Sequence, residues 1–176
     1  QTVLYASGEQ SITDLALTAK RLGCSSPRVF PIGNEGDVVK LVDIVDERKP
    51  TVFICDSTQT AFMEDNKADI GSDEMGRAVI NYLTSAGKTL GVCIIAVSHV
   101  NKSLEIAGKK AVLHLVDAIV RLDRYYDFDD GEETPESKSL RVLSSGKNRY
   151  GEEGLEEMYK MTEGGLVPYS KRLVLV

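Results

Sequence analysis

Several absences narrow this chain of 176 residues before any motif is read. No apolar run approaches the roughly 18 residues of a membrane span, and no basic-then-apolar leader marks export. Cysteine is scarce. Cys24, Cys55 and Cys93 are odd in number and contain no CxxC pair, which argues against a zinc site or a disulfide framework and fits a reducing cytoplasm. Basic charge is also short: 21 Lys and Arg face 27 Asp and Glu, for a formal net charge of −6. That balance argues against a surface coated in cations for nucleic acid, while leaving room for a local basic loop.

A phosphate-binding loop is missing too. Such a loop needs Gly, four residues, then Gly-Lys-Ser/Thr, so that backbone N–H groups and a helix N-terminus cradle phosphate. Gly87-Lys88-Thr89 has the hydroxyl, but Tyr82 stands where the first glycine belongs. Gly108-Lys109 and Gly146-Lys147 lack the hydroxyl and have Ser103 and Arg141 at that position. The chain also enters a strand-like run at its second residue without an initiator Met, and we read it as a piece of a longer protein.

What is present is the composition of one globular domain: 42% hydrophobic and 27% charged residues, enough to bury a core. The first half alternates strand and helix. "VLYA", "RVFPI", "TVFICDS" and "GVCIIAVSHV" read as strands, with helices over about 11–22, 35–49 and 73–89. Apolar strands alternating with helices predict an α/β fold with a parallel central sheet and helices on both faces. In the second half "DAIVRLDRYYDF", "KSLRVLSS", "LEEMYKM" and "KRLVLV" predict antiparallel strands added at the sheet edge. The segment "DFDDGEETPE" holds six acids and no base and reads as a solvated hairpin tip.

Ligands of open α/β sheets bind beyond the carboxyl ends of the strands. Three of those ends are polar here: Ser7-Gly8-Glu9, Asp56-Ser57 and Ser98-His99. An apolar strand ending in "ICDS" is a Walker B type of signal, in which Asp56 holds the water shell of a nucleotide's Mg²⁺. Glu9, an acid one strand earlier, suits polarising the water that attacks a γ-phosphate. A helix-capping acid and a first-turn acid are the plain alternatives for the two. In "VLSSGKNRYG", Lys147 and Arg149 sit on an expected turn, and solvation, a nucleic-acid phosphate and a nucleotide phosphate all suit them.

The ordered set "VLYASGEQS", "VFICDSTQT", "VSHVNKSLEIAGKKAVLHLVDAIV", "KNRYG" and "YKMTEGGL" resembles the RecA-like ATPase core of the bacterial DNA repair RadA (Sms) family, from residue 2 to about 167. The resemblance implies a RecA-like P-loop NTPase core, here a single domain over 1–176 without the family's zinc module, P-loop segment and Lon-like domain. It implies ATP and Mg²⁺ as cofactors, with Asp56 and Ser57 at the metal-bound nucleotide and Ser98 and His99 sensing the γ-phosphate. Glu9 is then the general base, and Lys147 and Arg149 are cations supplied to a neighbour's phosphates in a homo-oligomeric ring, such as a hexamer. Lys102, Lys109 and Lys110 are implied to face single-stranded or branched DNA, with the acidic stretch from Met63 to Glu74 as the other channel loop. The function implied is a cytoplasmic, ATP-dependent DNA motor in recombination and repair. A non-catalytic RecA-like scaffold or DNA-binding module is the alternative.

Overall fold

The computed structural model describes residues 1–99, 114–129 and 132–169. They divide into two compact units, one of residues 1–20 and 24–115, the other of 21–23 and 116–176.

The first unit follows the sequence pattern closely. Strand β1 (Val3–Ser7) leads to helix α1 (Ile12–Arg21), β2 (Val29–Gly33), α2 (Val38–Arg48), β3 (Val52–Asp56), α3 (Asp73–Leu90) and β4 (Cys93–Val97). Helix boundaries have local causes. Asp37 caps α2 by accepting from the Val39 N–H, and Ser72 caps α3 by accepting from Met75; side-chain acceptors of this kind satisfy N–H groups that have no partner within the helix. Gly91 ends α3 in the left-handed conformation at φ 67°, which costs glycine little.

The four strands pair in parallel in the order β2-β1-β3-β4. Leu4 and Ala6 of β1 and Phe53 and Cys55 of β3 share one core with Val38, Leu41 and Val45 of α2 and Met75, Val79 and Leu83 of α3. Helix α1 adds nothing to that core and buries only Leu15. Right-handed crossovers place it on the opposite face, because the chain moves from β1 to β2 in one direction and from β2 to β3 to β4 in the other. The order of winding therefore reverses between β1 and β3.

A tight contact fixes the start of α1. A Cβ at Gly33 would lie 2.4 Å from the Ile12 nitrogen and 2.7 Å from the Ser11 carbonyl carbon, and both are backbone atoms that cannot rotate away. Gly33→Ala is expected to destabilise the chain by about 1–3 kcal/mol through overpacking, read as a lower midpoint in urea unfolding. An unchanged midpoint would show that the chain after Glu9 is not held by this contact.

The second unit is a four-stranded antiparallel sheet in the order β10-β9-β8-β5, built from β5 (Ala118–Arg124), β8 (Leu140–Asn148), β9 (Glu156–Thr162) and β10 (Gly165–Pro168). The acidic segment forms a short hairpin, β6 (Phe128–Asp129) with β7 (Glu132–Glu133). The antiparallel strands thus make a sheet of their own instead of extending the parallel one, because each finds its ladder in a near neighbour along the chain. Lys147 lies within β8, since that strand runs on through Ser144-Ser145-Gly146 to Asn148. "KRLVLV" lies outside the described residues.

Candidate functional site

The carboxyl ends of β1 and β3 are adjacent at the reversal of strand order, the position where open α/β sheets bind ligands. Ser7 and Asp56 are register partners, and the Gly8 N–H donates to the Asp56 carbonyl at 2.9 Å. The chain turns sharply after Ser7. Its buried hydroxyl accepts from the Glu9 and Gln10 N–H groups at 3.2 and 3.1 Å, a local bond that lets a serine replace the lost strand ladder.

That turn aims Glu9 at the loop after β3. The hydroxyl of buried Ser57 donates to Glu9 Oε1 at 2.5 Å, and His99 Nε2 stands 3.3 Å from the same oxygen. The Asp56-Ser57 peptide bond is cis. The Ser57 hydrogen bond holds the Glu9 carboxyl below the usual glutamate range, against an opposing effect of partial desolvation and with further help from His99. A bond donated to the charged form favours that form, so Glu9 stays ionised to lower pH than an ordinary glutamate. Ser57→Ala is expected to shift its carboxyl resonance midpoint upward in an NMR titration. An unmoved midpoint would assign the shift to another neighbour.

Asp56 ends β3 with one oxygen occupied, because the Tyr5 hydroxyl donates to Oδ2. Tyr5 is two residues before Ser7 on the same face of β1, as period-two alternation requires. Burial, followed by the Asp56 hydrogen bond and the charges of Asp56 and Glu9, raises the phenol pKa well above its ordinary value. The phenol therefore remains a donor. Neighbouring Cys55 points into the core, and burial pushes its thiol up to about 11, which leaves it an inert packing group.

The end of β4 is tied to the same loop. Thr58 and Ser98 hydroxyls lie 2.5 Å apart, and the Thr58 N–H donates to the Val97 carbonyl at 2.8 Å. The Gln59 side-chain amide accepts from the His99 N–H and donates to the His99 carbonyl, each at 3.2 Å. Glu9, Asp56, Ser57, Ser98 and His99 thus come together along one sheet edge. Tyr5 and Gln59 join them without having been singled out in the sequence. The one signal for Tyr5 is a hydroxyl-bearing side chain two residues before Ser7, on the same face of β1 as the polar strand end. Gln59 stands in the quoted "DSTQT".

Lys147 and Arg149 belong to the second unit, where β8 meets β5. The Lys147 ammonium donates to the Val116 carbonyl at 2.7 Å, and Arg149 Nη1 donates to Asp117 Oδ1 at 2.6 Å. Asn148, between them, makes the turn: its Oδ1 accepts from the Tyr150 N–H and its Nδ2 donates to the Glu152 carbonyl. Lys102, Lys109 and Lys110 lie outside the described residues. The acidic stretch from Met63 leads into α3, and its Glu64 pairs with Lys40 of α2. No described helix is long and apolar enough to cross a membrane.

Comparison with known proteins agrees with this layout. No protein-family model matches the chain. The DNA repair protein RadA of Escherichia coli is 34% identical over 163 residues, covering 93% of this chain and 33% of that protein. Its counterparts in Aquifex aeolicus and Bacillus subtilis are 34% and 32% identical over 166 and 165 residues. The chain therefore spans about one third of the length of these relatives. Among solved structures, a KaiC-like protein from Pyrococcus horikoshii OT3 superposes with a TM-score of 0.70 at 13% identity, covering 96% of this chain and 76% of that one. At that identity the superposition speaks to the fold alone, and it supports the RecA-like reading. With a third of its residues shared with these relatives along nearly its whole length, the chain is a RadA-like domain of RecA-like fold.

Proposed function

We propose that this chain is the core of an ATP-dependent DNA motor of RadA type, serving recombination and repair on single-stranded or branched DNA. The observation that carries the reading is Glu9. It is an ionised, partly exposed carboxylate at the switch point, oriented by Ser57 and His99 beside the Asp56 strand end. A carboxylate so placed accepts a proton from an attacking water. Ser98 and His99, tied to the loop after Asp56, link the occupancy of that edge to the chain that follows β4.

Among the described residues no three acidic, histidine or cysteine side chains gather into a metal cage. Asp56 offers one carboxylate with one oxygen engaged by Tyr5. That donor set fits Mg²⁺, which keeps much of its water and is bound through one or two carboxylates together with nucleotide phosphates. Asp56, followed by Ser57, would hold it through the water shell. Bound Mg²⁺ supplies neutralisation of charge on the β- and γ-phosphate oxygens.

Lys147 and Arg149 act on phosphate across a subunit boundary in a ring, which the resemblance suggests is hexameric. Lys102, Lys109 and Lys110 contact DNA phosphates, which orient a protein without specifying sequence. The test is ATP hydrolysis by the full-length natural protein with and without single-stranded DNA. Turnover stimulated by the strand is the expected result. A protein that binds DNA and never hydrolyses ATP would replace the motor with a non-catalytic RecA-like scaffold.

A further inference from the structure

Both cations of "KNRYG" are anchored to two consecutive residues, Val116 and Asp117, just ahead of β5. The Lys147 ammonium is held by the Val116 carbonyl. Arg149 is held twice by Asp117: the guanidinium by the side-chain carboxylate at 2.6 Å, and the main-chain N–H by the carbonyl at 3.0 Å. The second bond continues the β5–β8 ladder one step past the Ala118–Asn148 pair, so Asp117 and Arg149 face each other as a cross-strand pair. Lys147 is the penultimate residue of β8 and Arg149 the first beyond it, while Asn148 between them builds the turn.

We propose that Asp117 is a positioning residue for Arg149. It fixes the direction of the guanidinium before any phosphate arrives, so that Lys147 and Arg149 present as one preoriented pair. The proposal rests on the reading above that these cations serve a neighbour's phosphates. Its chemistry follows from geometry. A charge-assisted bond to one guanidinium nitrogen sets the plane of a rigid five-donor fork. The pair is 47% and 37% exposed, and ion pairs in such surroundings add little to stability. Orientation is therefore the larger effect, and misplacement of a reacting group by about an ångström costs on the order of 10² in rate.

The experiment compares Asp117→Ala, Asp117→Asn and Arg149→Ala in the full-length protein, with kcat and KM for ATP measured separately under single-strand stimulation. Asp117→Ala is expected to lower kcat by about 10–100-fold and leave KM within about twofold. Asp117→Asn, which keeps an acceptor but not the charge, should fall between it and the wild type. Arg149→Ala should lose at least as much as Asp117→Ala, and the double variant should be no worse than Arg149→Ala, because residues acting as a unit are not additive. Wild-type kcat in both Asp117 variants beside an inactive Arg149→Ala overturns the positioning role while sparing the phosphate role of Arg149. Wild-type turnover in Arg149→Ala overturns both. Should Asp117→Ala fail to fold, Asp117→Asn decides, supported by arginine side-chain NMR on the chain as it stands. Hindered rotation of the Arg149 guanidinium in the wild type should be released in Asp117→Asn, and equal rotation in the two sinks the idea.

Discussion

Glu9→Gln should leave nucleotide binding in place and slow ATP hydrolysis in the full-length protein by about 10²–10⁴-fold, the usual contribution of a positioned general base. Glutamine keeps the size of the side chain and an oxygen that can accept from Ser57. The fold of the turn is preserved because Ser7, not the Glu9 side chain, accepts the Glu9 and Gln10 N–H groups. What is lost is a charge able to take a proton. The pH profile offers a second check. Hydrolysis should decline on acidification as Glu9 protonates, and the Ser57 bond lowers that pKa, so the decline comes at lower pH than for an ordinary glutamate. Removing the Ser57 hydroxyl should move the acid limb upward. Hydrolysis by Glu9→Gln at the wild-type rate would assign the base to another group and leave the Glu9–Ser57 contact structural.

The larger effect is expected across the subunit boundary. Lys147→Ala and Arg149→Ala should each lower strand-stimulated turnover, by up to about 10³–10⁵-fold if Arg149 works as an arginine finger. Lys147 and Arg149 belong to one unit of the fold and Glu9 to the other, and the informative experiment mixes subunits. A Glu9→Gln subunit still carries both cations, and an Arg149→Ala subunit still carries Glu9. In a randomly mixed ring about a quarter of the boundaries join an intact Glu9 to an intact Arg149, because head-to-tail interfaces pair two different patches. Activity should therefore reappear on mixing two dead proteins. If mixing restores nothing while both variants assemble, Arg149 serves its own subunit, or serves DNA.

The parts of this molecule that were legible in the sequence are those dictated by neighbours along the chain. "TVFICDS" shows as a buried strand because it is apolar on both faces, and the α2 and α3 starts show because Asp37 and Ser72 cap locally. Glu9, Asp56, Ser98 and His99 are readable as strand-end polar groups, and the topology gathers them on one edge. What escaped depends on distant partners. Tyr5 meets Asp56 and Gln59 meets His99 across gaps of 51 and 40 residues, and no local pattern encodes either pair. The run through Ser144-Ser145-Gly146 looks like a strand terminus but is held on both sides by β5 and by Leu155 and Gly154. In β10, glycine and proline argue against a strand, yet at a sheet edge a missing N–H is tolerated.

The amide of Gln59 has a mechanical meaning. By pairing with both the N–H and the carbonyl of His99, it imitates the backbone of an adjacent strand and adds one borrowed rung beyond the last residue of β4. A shift of the main chain at His99 would therefore reach Gln59 and, two residues back, Ser57, whose hydroxyl donates to the Glu9 carboxylate.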